Sequence, residues 1–169
     1  IIDFDELHKT KTVGGKTQKS ELYTINKIRE VLDFYNLNYT EAGSQQPNDF
    51  RINMKSEGIL LLEIKRTNGN TIMCNDTLPS PNAWYIIFYT KKPTNKTTKK
   101  ISKIISVNGS ELVRGSEDWI YNYKKEIDAN RIKYKGMPGL VNCYSRPGFS
   151  CNIKLLLEQC GDNDILIKY

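Results

Sequence analysis

Asp49, Glu63 and Lys65 are the residues of this 169-residue chain whose types and spacing could do chemistry. Pro47 to Lys65 reads PNDFRINMKSEGILLLEIK: an acid, thirteen residues built around two apolar runs, a second acid, one apolar residue and a lysine. Two carboxylates held within several ångströms repel unless a cation lies between them. Hard oxygen ligands with only two protein carboxylates suit Mg²⁺, which keeps several waters and takes further ligands from a phosphate. The main-chain carbonyl of Ile64 offers one more oxygen. A lysine beside such a metal could hold or activate the attacking water and offset charge in the transition state, while the metal polarises the scissile phosphate. The reaction this set suggests is phosphodiester hydrolysis. The plain alternative is a cross-strand pair of Asp49 with Lys65 and an edge charge at Glu63. Charges at the end of so apolar a strand favour the chemical reading.

Two strands must position these groups. Phe50, Ile52 and Met54 alternate with Arg51, Asn53 and Lys55, the period of a strand half buried on one face. Ile59 to Arg66 follows as a second run, apolar on both faces as far as Leu62, as in a strand in the middle of a sheet. A three-residue turn, Ser56-Glu57-Gly58, brings the apolar faces together and ends on glycine, as such turns prefer. That register predicts the pairs Lys55–Ile59, Asn53–Leu61, Arg51–Glu63 and Asp49–Lys65. It places Asp49, Glu63 and Lys65 on one face, at the end away from the turn, with the two carboxylates diagonal to each other.

Pro47-Asn48-Asp49 followed by Glu63-Ile64-Lys65 resembles the motif of the PD-(D/E)XK nuclease superfamily, and within it most closely the type II restriction endonucleases. Here Asn48 separates the proline from the acid, and the resemblance covers roughly residues 18–90. It implies an α/β fold: one three-layer domain with a central mixed sheet flanked by helices. It implies that Asp49 and Glu63 bind Mg²⁺ and that Lys65 assists the water. It also implies a double-stranded DNA substrate and, because a two-fold site is most simply read by a two-fold protein, a homodimer. Some small members of the class act as monomers. A helix before the first core strand often carries an extra acid near the metal. From Gln18 to Tyr35, Leu22, Ile25, Ile28, Val31, Leu32 and Tyr35 form a helical stripe with Ser20 as a cap, and Glu21 in the first turn is the further metal-ligand candidate, against a dipole-favoured surface acid.

The length suits a single domain over residues 1–169, with a catalytic core at about 18–107 and a C-terminal part, 108–169, completing the sheet and supplying DNA-contact or dimer elements. The net charge of +6 is consistent with a polyanionic partner. Cys74, Cys143, Cys151 and Cys160 have no paired metal-ligand spacing and His8 is the one histidine, so reduced thiols in a soluble, intracellular (cytoplasmic) protein are expected rather than a zinc site. No signal peptide, long apolar run or lipidation motif appears in these residues, so a soluble chain is expected.

Several segments are candidates for DNA contact. Thr67 to Pro81 reads as a loop, and Asn75 and Asp76 within it suit adenine and cytosine edges, or are ordinary turn residues. Ala83 to Thr90 reads as a buried strand. Lys91 to Lys103 holds six lysines and no acid, so Lys96, Lys99 and Lys100 are candidates for phosphate contact, or simply solvated. Ser116 to Lys133 reads as a helix capped by Ser116. Gly136 to Phe149 is rich in Gly and Pro, and Arg146 within it could read guanine or hold a phosphate. Asn152 to Gln159 fits strand or helix, and Asp164 to Tyr169 alternates like an edge strand.

A repair or junction-resolving nuclease on the same core is the near alternative. A basic nucleic-acid-binding domain without catalysis is the distant one. Against the latter stand the clustered acids, which repel phosphate unless they hold a metal.

Overall fold

In this computed structural model, residues 3, 5–6, 17–43, 48–75, 77–91, 100–135 and 148–168 are described, with backbone alone for 17–21 and 75. In chain order the elements are helix α1 (Thr17–Phe34) and strands β1 (Asn38–Glu41), β2 (Phe50–Asn53), β3 (Ile59–Thr67), β4 (Thr71–Asn75), β5 (Ala83–Lys91) and β6 (Ile101–Asn108). Helices α2 (Gly109–Val113) and α3 (Glu117–Tyr134), strand β7 (Gly148–Asn152), helix α4 (Lys154–Cys160) and strand β8 (Ile165–Lys168) follow.

Six strands form a mixed sheet in the order β1-β2-β3-β5-β6-β8, with β3/β5 and β6/β8 parallel and the other pairs antiparallel. Strands β4 and β7 pair separately as a two-stranded antiparallel ribbon. Alternation divides the main sheet into two faces. One carries Phe50, Ile52, Leu62 and Phe88 and packs against Ile28 and Leu32 of α1. The other carries Ala83, Tyr85, Ile87, Ile105 and Val107, covered by Ile72 and Cys74 of β4, Phe149 and Cys151 of β7, Ile120 of α3 and Leu156 of α4. The result is a single α/β domain of three layers. Full burial of side chains such as Phe50, Phe88 and Ile87 contributes roughly 1.5–3 kcal/mol each. Among the described residues no helix is long and apolar enough to cross a membrane.

The hairpin register differs from expectation by two residues. Phe50 pairs with Leu62, Ile52 with Leu60 and Asn53 with Ile59. The turn is the single 3-10 turn Lys55–Glu57, closed by the Met54 N–H donating to the Gly58 carbonyl at 2.8 Å. Lys55 takes a left-handed φ of 58° and its N–H donates to Asn53 Oδ1, so the chain reverses one residue before Ser56-Glu57-Gly58. Lys65 therefore does not pair with Asp49, nor Glu63 with Arg51. Because the shift is even, each side chain keeps its expected face.

Other boundaries also move. Helix α1 starts at Thr17, so Ser20 lies inside it and Glu21 sits beyond the first turn. Its buried side is Thr24, Ile28 and Leu32, whereas Leu22, Val31 and Tyr35 of the expected stripe are exposed. The stretch expected as a loop before Pro81 contains β4, and Asn152 to Gln159 resolves mainly into α4. Ser116 stands at the N-cap of α3 but makes no side-chain cap bond. Cys74, Cys151 and Cys160 are buried free thiols, and Cys143 lies outside the described residues.

Candidate active site

Strand β3 alternates Leu60, Leu62 and Ile64 toward α1 with Leu61, Glu63 and Lys65 toward the β4–β7 ribbon. Glu63 and Lys65 are two apart, so they neighbour each other on one pleat face. Lys65 Nζ donates to Glu63 Oε1 at 2.6 Å, and the side chains retain only 24% and 18% of their exposure. Across β5 their partners are Tyr85 and Ile87. The site is thus the charged margin of an apolar layer.

Asp49 enters from the first strand. The left-handed Asn48, at φ 68°, turns the chain immediately before it. The Asp49 N–H donates to the Leu62 carbonyl at 2.9 Å, and the Asp49 carbonyl accepts from the Ala42 N–H at 3.0 Å. Its carboxylate Oδ2 then accepts from the Ile64 N–H at 2.6 Å. Extending the Phe50–Leu62 register by one residue sets Asp49 opposite Glu63, closer than the diagonal placement expected. Ile64, like Leu62, directs its backbone polar groups toward β2, so its carbonyl opens on the same side as Asp49, past the end of the ladder.

The electrostatics bind the three groups together. Burial of Lys65 works against its charge, but the field and hydrogen bond of Glu63, with smaller contributions from Cys74 and Asp49, more than offset it and raise the ammonium pKa. Lys65 is therefore a firmly protonated donor. On the same face, burial pushes the Tyr85 phenol up, and its oxygen accepts from the Ser80 N–H at 2.9 Å. The Cys74 thiol is held below its ordinary value by a hydrogen bond with Cys151 and by Lys65, against burial; that hydrogen bond and burial push Cys151 up.

The chemistry of the donor set suits a hard divalent cation: two partly buried carboxylates on facing register positions and the Ile64 carbonyl between Glu63 and Lys65 in the chain, with Lys65 already placing positive charge against Glu63. Among the described residues no three His, Cys, Asp or Glu side chains gather as a metal group. The Ile64 carbonyl is a further oxygen next to Glu63 in the chain. The Glu21 side chain is outside the described residues, and helix α1 packs on the face opposite Glu63 and Lys65.

The structure thus brings together Asp49, Glu63, Ile64 and Lys65. Asn75 ends β4 with its side chain outside the described set; Asp76, Lys96, Lys99 and Arg146 are outside it altogether. Lys100 is described and pairs with Asp5 at 3.2 Å, both exposed. Sequence reasoning missed the two neighbours Tyr85 and Cys74. The buried, aromatic-rich run AWYIIFYT marks a strand but carries no signal for its parallel register with β3, and Cys74 lies in the unrecognised β4. No family model, no curated protein and no solved structure matches the chain.

Proposed function

We propose that the chain is a Mg²⁺-dependent endonuclease that hydrolyses double-stranded DNA, of the type II restriction class, acting inside the cell as a homodimer on a two-fold site. The observation that carries this reading is the meeting of an acid from one strand with an acid–lysine pair on the next, at the open end of a shared ladder. Asp49 is tied to the Ile64 N–H at 2.6 Å, and Lys65 to Glu63 at 2.6 Å. A surface charge pair has no need of a carboxylate fixed by its backbone on both sides and by its own side chain. The net charge of +6 draws the polyanion in.

In this reading Asp49, Glu63 and the Ile64 carbonyl hold the metal. Bound Mg²⁺ supplies Lewis acidity at the scissile phosphate and a more acidic water. Asp49 presents its second oxygen while Oδ2 stays on the Ile64 N–H, which fixes the carboxylate before substrate arrives. Lys65, kept protonated by Glu63, donates toward the attacking water or a phosphate oxygen and offsets the charge that builds there. It orients and neutralises rather than serving as the base. The apolar layer behind it limits water to the exposed margin.

The test is incubation with long plasmid and phage DNA, in EDTA and then in Mg²⁺. Discrete fragments appearing only with Mg²⁺, and lost in Glu63→Ala, are the expected result. DNA left intact in Mg²⁺ and Mn²⁺ by protein that still binds it would leave a binding module. Cleavage confined to branched or damaged substrates would move the assignment to repair or junction resolution.

A further inference from the structure

A cavity of about 250 Å³ lies in the ribbon layer, between Leu78–Pro79, the first turns of α3 and strand β7. Pro79, Val113, Ser116, Trp119, Tyr123 and Phe149 line it. Trp119 and Tyr123 are four apart and so neighbour each other on α3. They keep 59% and 51% exposure. Phe149 meets Tyr123 edge to face, ring centroids 6.4 Å apart at 88°. Among the described residues α3 buries Ile120 alone, so these large rings are not consumed in building the core. Half-exposed aromatics around an apolar hollow present faces on which a flat partner can stack.

Size and charge narrow the occupant. The volume falls below the roughly 300–1,000 Å³ of sites for drug-sized ligands, which limits it to a single small ring system. The Ser116 hydroxyl is not spent on capping α3, and it stands beside the helix N-terminus, where a polar ring edge finds a donor or acceptor. Among the described residues no lysine or arginine lines the pocket, and Glu117 and Asp118 stand in the first turn of α3, so the hollow selects a ring and not a phosphate. The net charge of +6 draws polyanions to the chain as a whole, and the polyanion that also carries flat heteroaromatic rings is nucleic acid.

We propose that this pocket binds one unstacked nucleobase, held between Trp119 and Tyr123 with its polar edge at Ser116. The pocket is distinct from the Asp49–Glu63–Lys65 site, and binding there does not depend on cleavage.

The chain has two tryptophans, Trp84 and Trp119, and Trp84 packs in the cluster on the opposite sheet face. In the Trp84→Phe protein, fluorescence therefore reports on Trp119. Titration with adenosine or thymidine monophosphate should give saturable quenching, whereas ribose 5-phosphate and cyclohexanol should give none. Tyr123→Leu, which keeps apolar bulk and removes the ring face, should weaken nucleotide binding roughly five- to hundredfold, the range for loss of one base–aromatic stack. Tyr123→Phe should keep it, and both variants are checked for an unchanged thermal transition. Absence of saturable quenching, equal quenching by ribose 5-phosphate or cyclohexanol, or unaltered affinity in folded Tyr123→Leu would each overturn the assignment.

Discussion

Asp49 Oδ2 accepts a hydrogen bond from the Ile64 N–H at 2.6 Å. This contact replaces a backbone rung with a side-chain one. The β2–β3 ladder has its last assigned pair at Phe50–Leu62, and the next rung is closed by a carboxylate. One residue of the proposed metal set is thereby held by the backbone of another.

Asp49→Asn should separate the two jobs of this residue. Its amide oxygen still accepts from Ile64, so urea stability should stay near wild type, while Mg²⁺-dependent cleavage falls by several orders of magnitude. Asp49→Ala should lose cleavage and also about 1–3 kcal/mol of stability, because the Ile64 N–H loses its partner. DNA affinity of both should be equal or higher, one phosphate-repelling charge having gone. Full Mg²⁺-dependent activity in either variant excludes the site.

Lys65→Arg should be strongly impaired in turnover despite keeping its charge. A planar, branched guanidinium can still pair with Glu63, but it does not put a single compact ammonium where Lys65 holds one, 2.6 Å from Glu63 Oε1. Single-turnover cleavage at saturating Mg²⁺ measures this, and a near wild-type rate would reduce Lys65 to a partner of Glu63.

The Arg29–Glu41 pair ties α1 to the edge strand β1 through two contacts of 2.6 and 2.7 Å. The Arg29 hydrogen bond holds the Glu41 carboxyl below its ordinary value of 4.5, outweighing burial. A lowered folded-state pKa contributes stability that is present above the unfolded value and lost as pH falls through the folded one. The stability difference between wild type and Arg29→Gln should therefore be constant at neutral pH and shrink below about pH 4.5. Urea titrations across that window give the comparison; a difference that grows on acidification contradicts the assignment.

Gly109→Ala should destabilise by about 1–3 kcal/mol. A Cβ there would run into the Ser80 carbonyl and lie 2.9 Å from Cε2 of the Tyr85 ring. The same loop carries the Ser80 N–H that binds Tyr85, so circular dichroism melts should show the loss. A neutral effect would mean that the Ser80 loop yields freely.

The triad was legible because it is local. Asp49, Glu63 and Lys65 lie on two consecutive strands, and hydrophobic parity alone assigns them to one face; an even register error leaves parity intact. The turn itself was misplaced because a left-handed Lys55 has no strong sequence signal. The second layer was illegible for a different reason. Thr71–Asn75 is a strand only because Gly148–Asn152 pairs with it, and no short-range pattern announces a partner that far along the chain. The same limit hid the proximity of Tyr85 and Cys74 to Lys65. Helix α1 was clear from its period, although its buried side is narrower than the stripe, since α1 covers only part of its sheet face.

The β4–β7 pairing has a consequence for the order in which the molecule is assembled. During synthesis α1 and the strands through β6 emerge first, and the β2–β3 hairpin can close with little loop entropy. Strand β4 then waits with unpaired backbone until Gly148–Asn152 has been made. Over that interval Glu63 and Lys65 lack the layer that shields them. The charged margin reaches its final environment only once residues 148–152 have left the ribosome, so a truncation before β7 would leave the three residues in sequence but without the apolar wall behind them.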